Sequence, residues 1–566
     1  MPLPAGFPVR IALFAVTAAG RRAAAAASAA IGAELLELAE LEKRWPELDA
    51  AVFFLATGAT VRLIAPLLTD KDTDPGVVCV DEARRFAVAL TGGHAGGANV
   101  LAQRVAAVLG AQPVITTASD AAGTTGLDEL VELLDATVDG DLATAGTALL
   151  DGAARVQNPL GFPLPPLPPA TTTPRHTITI TDRAGTAAVG TTRLVPRTLV
   201  VGIGSARGVS ATAVSATLRR LRTEHGLDPR AIRAYASVDL KADEAGILAA
   251  IAPTSLTTYP AAVLAGVEVP NPSEVVRAEV GTASVAEAAA LHAAAELALG
   301  APVELVVEKI KGENVTVAAT RIRPRGRLAI VGLGPGAGDL RVPRADAELR
   351  RAAVVVGLDQ YVDQVRHLLR PGTEVRASGL GAEEQRAAEA VALAVQGHAV
   401  ALIGSGDAGV YAMASPALQQ AGADIEVVGV PGVTAALAAA ALLGAPLGHD
   451  HVLISLSDLH TPWPVIERRV AAAATADLVT CFYNPRSRDR HWQLGAALGA
   501  LRVHRPPQTP VGAVRQAGRT GQRVWWAPLA EFDPAEVDML TTVIVGSSAT
   551  RMVAGRMVTP RGYRWS

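Results

Sequence analysis

The sequence predicts a multidomain α/β protein, and three observations support this prediction. The chain has 566 residues, enough for three or four domains at roughly 150 residues each. Hydrophobic residues make up 50% of it and charged residues 19%, proportions that are usual for globular domains with buried cores. Short apolar runs alternate with longer helix-like runs, which indicates parallel sheets covered by helices.

The first α/β domain is predicted over residues 8–150. Its strands are expected at residues 9–16, 51–55 and 77–80. One helix is expected at residues 22–44, because Pro46 follows its end, and another at 99–109, where Asn99 is placed to cap it.

A proline-rich stretch separates this domain from the next one. Residues 158–174 read NPLGFPLPPLPPATTTP, which contains too many prolines for a regular packed element and predicts a semi-rigid, extended linker. Within the whole separating region, residues 151–197, a small hairpin is expected from residues 177–181 and 191–195.

The second α/β domain is predicted over residues 198–323. Its first strand and helix are expected at residues 199–203 and 210–222. Two capping-box signatures predict further helix starts, one at Asn271 with Glu274 and one at Ser284 with Glu287.

Composition and charge exclude several classes of function. The formal net charge is −3, so no basic excess favours nucleic acid or an anionic membrane surface. Aromatic residues are only 4% of the chain, which counts against a base-stacking surface. We therefore expect neither a nucleic acid nor a membrane as partner.

The two cysteines and the apolar segments point to the cytoplasm. Cys79 and Cys481 lie in separate apolar runs with no CxxC pair, so both are predicted to be buried core residues, and no disulfide or metal site is expected. The apolar run at residues 11–19 is short and is followed by two arginines, unlike a signal peptide. The run at 434–448 is too short to span a membrane.

A glycine-rich loop opens the last region, residues 326–566. Residues 328–340 read LAIVGLGPGAGDL, a buried strand followed by a loop whose glycines allow a ligand to approach the backbone closely. The loop nominally fits a dinucleotide fingerprint, with Asp359 about 20 residues further on. In a dinucleotide-binding fold the helix starts within the glycines, whereas here the next helix is predicted to start only at Pro343, after the loop has closed. A nicotinamide oxidoreductase is therefore the less favoured alternative.

Four further segments follow the same strand-then-loop pattern. They read LIGSGDAGVYAMA, VGVPGVTAALA, LVTCFYNPRSR and TTVIVG, at residues 402–414, 428–438, 478–488 and 541–546. With the glycine loop, they resemble the tetrapyrrole (class III) methyltransferases of corrin biosynthesis, and among these the ring-contracting precorrin-3B C17-methyltransferases. The resemblance covers essentially all of residues 326–566.

This resemblance implies two α/β lobes with S-adenosylmethionine bound in the cleft between them, and it leaves a homodimer through this region open. Methyl transfer from a sulfonium needs donor and acceptor carbons held in line, not a metal. One departure is visible, because Ala408 stands where the family usually has proline after the acid. The implied cofactor-binding residues are Gly334, Pro335, Gly336, Gly406, Asp407, Val410, Tyr411, Thr434, Ala435, Tyr483, Asn484, Thr541 and Thr542.

The N-terminal part resembles a different family. The segments ATGATVRLIAPLLTDKD, TGGHAGGANVLAQRVA, VGIGSARGVSA, SVDLKADEAG, VPNPSEVV and KGENVTVA resemble the cobalt-precorrin-5A hydrolases over residues 8–323, apart from the proline-rich linker. That family opens a δ-lactone on the contracted macrocycle and releases acetaldehyde. The C-terminal family makes such a lactone, so the two regions would serve nearby steps.

Lactone hydrolysis needs a base that activates water. His94, flanked by paired glycines, is the first candidate, and Asp239, Lys241 and Glu244, which follow a strand end, are the second. Relatives often have cysteine at the position of Ser205, so no nucleophile is assigned.

Both substrates carry many carboxylates, which arginine and lysine bind well. The candidate substrate-binding residues are Arg62, Arg207, Lys241, Lys309, Lys311, Arg486, Arg488 and Arg515.

The sequence thus predicts a bifunctional cytoplasmic enzyme of corrin (cobalamin) biosynthesis that acts on a tetrapyrrole. Two further alternatives stay open. The C-terminal region could methylate another acceptor, such as uroporphyrinogen, or the N-terminal region could be a non-catalytic module that binds the macrocycle.

Overall fold

The computed structural model describes residues 10–70, 73–93, 96–487 and 490–563. The chain divides into two compact units. Unit 1 comprises Met1–Pro324 with Arg370–Gly372, and unit 2 comprises Arg325–Leu369 with Thr373–Ser566. Both units are α/β, as the sequence predicts.

Unit 1 begins with a six-stranded sheet whose order is β2-β1-β3-β4-β5-β6. Strands β1 to β4 are parallel, and β5 is antiparallel to β4. The strands are β1 (Ile11–Ala15), β2 (Glu34–Leu36), β3 (Ala50–Phe54), β4 (Gly76–Val80), β5 (Phe86–Thr91) and β6 (Gln112–Val114). The helices are α1 (Ala18–Ile31), α2 (Leu41–Arg44), α3 (Thr57–Ile64), α4 (Ala98–Leu109) and α5 (Ala118–Ala121).

The three predicted strands and the helix predicted at 99–109 are present, but the extent of the first helix and the cap of α4 were predicted wrongly. The helix expected at 22–44 ends at Ile31, because Gly32 adopts a left-handed conformation (φ 70°) that closes it, and β2 follows. Gly97 rather than Asn99 is the N-cap of α4. The Asn99 amide instead donates to the Thr117 hydroxyl at 3.3 Å.

The next part of unit 1 is a four-stranded sheet of order β7-β10-β9-β8. Its strands are β7 (Ala136–Asp139), β8 (Ala154–Gln157), β9 (His176–Ile180) and β10 (Thr191–Pro196), with helices α6 (Leu127–Leu133) and α7 (Leu142–Leu150). Strands β9 and β10 pair in parallel, so the predicted hairpin is wrong. The connection through residues 181–190 brings the chain back to the start of β9, so β10 runs in the same direction as β9.

The proline-rich segment covers the core of this small sheet. It has no regular secondary structure, but Leu160, Phe162, Leu164 and Leu167 pack against the buried side chains of the sheet and its helices. Its leucines and phenylalanine, which alternate with prolines, therefore add to a core. The high proline content predicted a linker and gave no indication that this segment packs on a core.

Unit 1 ends with a five-stranded sheet of order β13-β12-β11-β15-β14. Strands β11, β12 and β13 are parallel, and β15 is antiparallel to both neighbours. The strands are β11 (Leu199–Ser205), β12 (Ile232–Val238), β13 (Leu256–Tyr259), β14 (Val303–Lys311) and β15 (Val315–Ile322). The helices are α8 (Ala211–Thr223), α9 (Ala245–Ile251), α10 (Ala261–Ala265), α11 (Glu274–Val280) and α12 (Val285–Ala298).

The two capping boxes predicted in this region do not form. Ser273, not Asn271, caps α11 by accepting from the Val276 amide, so Glu274 is the first helical residue. Ser284 is the N-cap of α12, but its side chain makes no capping bond within the described structure. Glu287 instead accepts from the Asn271 side-chain amide at 2.8 Å.

Buried charges join the small sheet to the last sheet of unit 1. Asp182 is fully buried and accepts from Arg321 Nε at 2.5 Å and from the Thr198 hydroxyl at 3.1 Å. Arg193 pairs with Asp139 at 2.7 Å and Asp228 at 3.3 Å. Burial opposes ionisation of Asp228, but hydrogen bonds from Arg230 and Arg193 hold its pKa below its usual range.

Unit 2 has two lobes. The first contains a wholly parallel sheet of order β18-β17-β19-β16-β20, and the second a mixed sheet of order β22-β23-β26-β24-β25. The strands are β16 (Gly326–Gly332), β17 (Val354–Leu358), β18 (Glu374–Ser378), β19 (Ala399–Gly404), β20 (Ile425–Val430), β21 (Gly444–Ala445), β22 (His451–Ser455), β23 (Val479–Tyr483), β24 (Pro510–Arg515), β25 (Arg523–Pro528), β26 (Thr541–Val545), β27 (Arg551–Val553) and β28 (Arg556–Val558). The helices are α13 (Pro343–Arg351), α14 (Asp359–Val365), α15 (Glu383–Val395), α16 (Ala414–Leu418), α17 (Ala435–Leu443), α18 (Trp463–Thr475) and α19 (Gln493–Arg502).

The two-lobed fold predicted for the C-terminal region is confirmed, and α13 begins at Pro343 as predicted. Cys79 and Cys481 are both buried free thiols, and burial raises the pKa of Cys481 to about 12. Within the described ranges, no helix is long and apolar enough to cross a membrane. The same residues contain no group of three His, Cys, Asp or Glu side chains that could hold a metal ion.

We expect the substitution Asp182→Ala to destabilise unit 1 by about 3–5 kcal/mol, because it strips a buried guanidinium of its bidentate partner. Asp151→Ala is the matched control, since its ion pair with Arg175 is more than half exposed and should cost less than about 1 kcal/mol. Urea unfolding followed by circular dichroism measures both. Equal unfolding midpoints for the two variants would show that the buried pair does not hold these sheets together.

Candidate functional site

Three loops of unit 2 meet at the carboxyl edge of the parallel sheet, and their glycines allow it. Gly334 and Gly406 exchange two backbone hydrogen bonds, of 3.0 and 2.7 Å. A Cβ atom at Gly332 would lie 2.7 Å from the Gly406 carbonyl oxygen, and one at Gly432 only 2.1 Å from it. The loops after β16, β19 and β20 therefore pack backbone against backbone.

Asp407 braces two of these loops. Its carboxylate accepts from the Gly409 amide at 2.8 Å and from the Gly432 amide at 3.0 Å. Both oxygens are thus engaged by the backbone, so the geometry supports a loop-fixing role for Asp407. Ala408, the departure from the family pattern, is buried beside it.

Tyr483 fixes the start of α17. Its hydroxyl accepts from the Ala436 amide at 2.9 Å and shares a 2.6 Å hydrogen bond with the hydroxyl of Thr434, the N-cap of this helix. Burial raises the pKa of Tyr483, although the hydrogen bonds with Thr434 and Ala436 oppose this effect. Its ring also contacts that of Tyr411, with centroids 5.3 Å apart.

Tyr411 and Asn484 both have left-handed backbones, with φ of 53° and 50°. The Tyr411 side chain is half exposed, and its hydroxyl donates to the Leu453 carbonyl at 2.7 Å. The Asn484 amide donates to the Ser455 hydroxyl at 3.1 Å. Val410 is partly buried next to Tyr411. Of these residues, Tyr411 contacts the second lobe, through Leu453 and Tyr483, and neither Val410 nor Tyr411 is among the residues that line the cavity described next.

A cavity of about 150 Å³ lies beside these loops. Of the predicted cofactor residues, it is lined by Pro335, Ala435, Tyr483, Asn484, Thr541 and Thr542. Gly334, Gly336, Gly406, Asp407 and Thr434 lie in the adjoining loops, within one or two residues of this lining.

Sequence reasoning missed several residues of this cavity, namely Gln360, Tyr361, Ser405, Gln516, Arg519 and Met539. Gln360 and Tyr361 follow the carboxyl end of β17, and Ser405 follows that of β19. The rule that ligands bind at the carboxyl ends of parallel strands could have found these three. Arg519 lies in a loop of the second lobe, and no sequence motif pointed to it.

The arginines predicted to bind substrate in unit 2 already have partners. Arg515 pairs with Asp538 at 2.7 Å, and Arg486 donates to the Ala535 carbonyl at 2.9 Å. Arg488 lies outside the described residues. Neither Arg486 nor Arg515 is among the residues that line the cavity, and their role in substrate binding stays a prediction.

The basic residues predicted in unit 1 are scattered. Arg62 donates to the Gly58 carbonyl at 2.8 Å in the first turn of its own helix, and Lys309 donates to the Asn271 carbonyl at 2.5 Å. Lys311 is exposed at the end of β14. Arg207 lies two residues after the end of β11, where it pairs with Asp243 at 2.5 Å and comes within 3.9 Å of the Glu244 carboxylate described below.

His94, the first candidate base, lies outside the described residues, but its flanking glycines are placed. A Cβ atom at Gly76 would lie 2.1 Å from the Gly96 carbonyl oxygen, and one at Gly92 would lie 2.8 Å from the Gly76 Cα. These glycines therefore serve close backbone packing against the first residue of β4. Gly76 lies at the amino end of β4, a strand of the parallel part of this sheet.

The second set of candidates lies where β11 and β12 end in parallel. Glu244 is 4% exposed, and its Oε1 accepts from the Gly208 amide at 2.9 Å. Its Oε2 makes no hydrogen bond to any described residue, although Lys241 Nζ lies 3.5 Å away and Arg207 Nη1 3.9 Å away. Asp239 is exposed, and among the described residues its carboxylate accepts from the neighbouring Leu240 amide alone, so it does not join this group.

Two further buried polar groups lie near the same edge. The Ser205 hydroxyl, on the last residue of β11, is buried and has no hydrogen-bond partner in the described part of the chain. Glu287 is fully buried, and its Oε1 accepts from Asn271 and from the Lys309 amide. Unsatisfied buried oxygens are costly, so the Ser205 hydroxyl and the Glu244 Oε2 atom are two groups of this edge that remain available to a bound molecule.

Comparison with known families matches three regions of the chain. Residues 39–120 match the cobalamin synthesis G N-terminal family, residues 199–320 match the cobalamin synthesis G C-terminus, and residues 327–533 match the tetrapyrrole (corrin/porphyrin) methylases. Both resemblances predicted from the motifs are thereby confirmed.

Individual relatives align with the C-terminal region. The chain is 47% identical over 242 residues to a probable cobalt-factor III C(17)-methyltransferase of Salmonella typhimurium, an alignment that covers 42% of this chain and 99% of that protein. It is 42% identical over 249 residues to a precorrin-3B C(17)-methyltransferase of Sinorhizobium sp, covering 42% of this chain and 97% of that protein.

Among solved structures, the methyltransferase CobJ is 37% identical, with 42% of this chain and 100% of that chain covered and a TM-score of 0.39. The alignments with the two relatives span almost their whole length and exceed 40% identity. The chain therefore belongs to the tetrapyrrole methylase family, and ahead of its methylase region it carries both regions of cobalamin synthesis G.

Proposed function

We propose that unit 2 transfers the methyl group of S-adenosylmethionine to C17 of precorrin-3B or its cobalt counterpart, with contraction of the ring. The observation that carries this proposal is the cavity at the carboxyl edge, lined by six of the residues that the family resemblance assigns to the cofactor. Near-complete alignment with two proteins named as C17-methyltransferases supports the choice of reaction.

The residues present fit this cofactor. Gly406 has a left-handed backbone with φ 68°, and a Cβ atom there would be in van der Waals contact, at 3.6 Å, with both the Thr434 Cα and the Ala435 amide nitrogen, so this loop lies directly against the start of α17. Thr541 and Thr542 are buried and line the same cavity, and the Thr541 hydroxyl donates to Asp538 at 2.7 Å. When bound, S-adenosylmethionine supplies a sulfonium methyl group for an in-line displacement.

The protein's own contribution is positioning. Asp407 and the exchanged Gly334–Gly406 bonds fix the loops, and Tyr483 fixes the start of α17. A cleft held this rigidly keeps the acceptor carbon in line with the donor and excludes water, which can supply several kcal/mol of the barrier reduction.

The test is incubation of the full chain with precorrin-3B, or its cobalt form, and S-adenosylmethionine carrying a labelled methyl group. Mass spectrometry should find one labelled methyl on the contracted product. In a parallel incubation, labelling of uroporphyrinogen but not of precorrin-3B would assign a different acceptor. Tight binding of NAD(P) without binding of S-adenosylhomocysteine would favour the oxidoreductase alternative.

We expect Tyr483→Phe to weaken S-adenosylhomocysteine binding about tenfold, because the Ala436 amide and the Thr434 hydroxyl lose a buried partner worth about 1–3 kcal/mol. Tyr259→Phe is the control, because its hydroxyl bonds to Glu296 in unit 1, and it should leave this affinity unchanged. Titration calorimetry measures both. Equal affinities for the two variants would remove Tyr483 from the binding site.

For unit 1, we infer a hydrolase that opens the lactone of cobalt-precorrin-5A and leads to release of acetaldehyde. The supporting observation is the buried Glu244 carboxylate, whose Oε2 has no hydrogen-bond partner among the described residues and lies beside Lys241 and Arg207. Glu244 would take a proton from water, and Lys241 would stabilise charge on the lactone carbonyl oxygen, whereas Arg207 is already paired with Asp243.

We expect Glu244→Gln to reduce acetaldehyde release by roughly 100-fold or more, as loss of a general base does. Glu274→Gln, on the exposed start of α11, should leave the rate unchanged. An alcohol dehydrogenase assay coupled to NADH follows the product. If Glu244→Gln keeps full activity and His94→Ala loses acetaldehyde release, His94 rather than Glu244 is the general base. No release by the wild-type protein would favour the non-catalytic binding module.

A further inference from the structure

One arginine of the second lobe reaches the glycine loop of the first lobe. Arg519 lies in the turn between β24 and β25, and it lines the cavity. Its Nε donates to the Pro335 carbonyl at 2.5 Å and its Nη2 to the Ser405 hydroxyl at 2.7 Å. Both acceptors belong to loops that end at the carboxyl edge of the parallel sheet.

The surrounding glycines make room for this side chain. A Cβ atom at Gly336 would lie 2.4 Å from Arg519 Nε, so residue 336 must lack a side chain for the arginine to take this position. The turn itself has left-handed residues at Gln516, Gly518 and Gly521. A Cβ atom at Gly518 would lie 3.0 Å from the Ala337 Cβ, so the turn packs directly on the glycine loop.

The charge of Arg519 is not neutralised within the described structure. Both of its acceptors are neutral, and no carboxylate among the described residues lies within ion-pair distance. Its neighbours differ, because Arg515 pairs with Asp538 at 2.7 Å and Arg523 pairs with Glu536 at 2.8 Å. A guanidinium has about five N–H donors, so Arg519 keeps donors and a full charge for a ligand.

We propose that Arg519 binds a peripheral carboxylate of the macrocycle and thereby orients the acceptor in the cleft. This inference rests on the proposed methyltransferase function, whose substrate carries several acetate and propionate groups. A planar guanidinium binds a carboxylate through two parallel hydrogen bonds. The neutral Ser405 hydroxyl is a weaker acceptor, which a substrate carboxylate displaces.

Steady-state kinetics of three variants test the proposal. Arg519→Ala should raise the KM for the macrocycle about 10- to 100-fold, as loss of a charge-assisted pair does, and change the KM for S-adenosylmethionine less than about twofold. The KM of Arg519→Lys for the macrocycle should lie between those of the wild type and of Arg519→Ala, because lysine keeps the charge but lacks the planar guanidinium. Arg523→Ala, which removes an exposed arginine of the adjacent strand, is the matched control and should match the wild type.

Direct binding gives a readout that does not need turnover. Uroporphyrin carries a carboxylate on every acetate and propionate, and its fluorescence reports its Kd. Arg519→Ala should weaken uroporphyrin binding about tenfold or more while the Kd for S-adenosylhomocysteine stays the same. If the wild type methylates no precorrin but this difference in Kd persists, the proposed function fails and the assignment of Arg519 stands.

The proposal is overturned if the Kd for uroporphyrin is unchanged in Arg519→Ala. A lower Tm with unchanged Kd would identify Arg519 as a structural link between the lobes only. Equal rises in the KM for the macrocycle and for S-adenosylmethionine would likewise contradict it, since they would report a general distortion of the cleft.

Discussion

The close approach of three backbone segments at the carboxyl edge of the parallel sheet is the constraint on which the cleft of unit 2 depends. Gly332, Gly406 and Gly432 lie so near one another that a Cβ atom at Gly332 or Gly432 would come within 2.7 Å of the Gly406 carbonyl. Glycine is the only residue that permits this distance without a shift of the loops. The positions of Asp407, Pro335 and Ser405 all follow from that packing.

The strands and the cleft loops could be predicted from the sequence because their signals are local. Apolar runs followed by glycine or proline mark strands that end in tight loops, and those loops contain most of the predicted cofactor residues. Arg519 could not be found this way, because its position in the cavity depends on a turn of the second lobe meeting a loop more than 180 residues earlier. Gln360 and Tyr361 directly follow the carboxyl end of β17, so the rule for ligand sites in parallel sheets could have found them although no motif marks them.

Three predictions failed for physical reasons that a single sequence conceals. An alanine-rich run suggested one long helix, but Gly32 ends it after Ile31. Two threonine-rich strands suggested a hairpin, but the chain between them returns to make β9 and β10 parallel. The proline-rich segment lacks regular hydrogen bonding as expected, and yet its leucines complete a core, because packing needs apolar surface rather than secondary structure.

Unit 1 shows how burial separates candidates that look alike in sequence. Asp239 and Glu244 both follow a strand end, but Asp239 is exposed and Glu244 is 4% exposed with one oxygen unsatisfied among the described groups. Gly92 and Gly96, two of the glycines around His94, pack against Gly76, and the role of His94 itself stays a prediction. The ionic contacts of Asp182 and Arg193 hold the small sheet against the one that carries Glu244.

A crystal structure of the protein with S-adenosylhomocysteine is the most direct measurement of whether the cleft of unit 2 binds a methyl donor. We predict that the ligand lies in the cavity beside Ala435 and Tyr483, with Gly406 against it and Asp407 still bonded to the Gly432 amide. Density for the ligand elsewhere, with the cavity empty at saturating concentration, would contradict both the binding site and the methyltransferase function built on it.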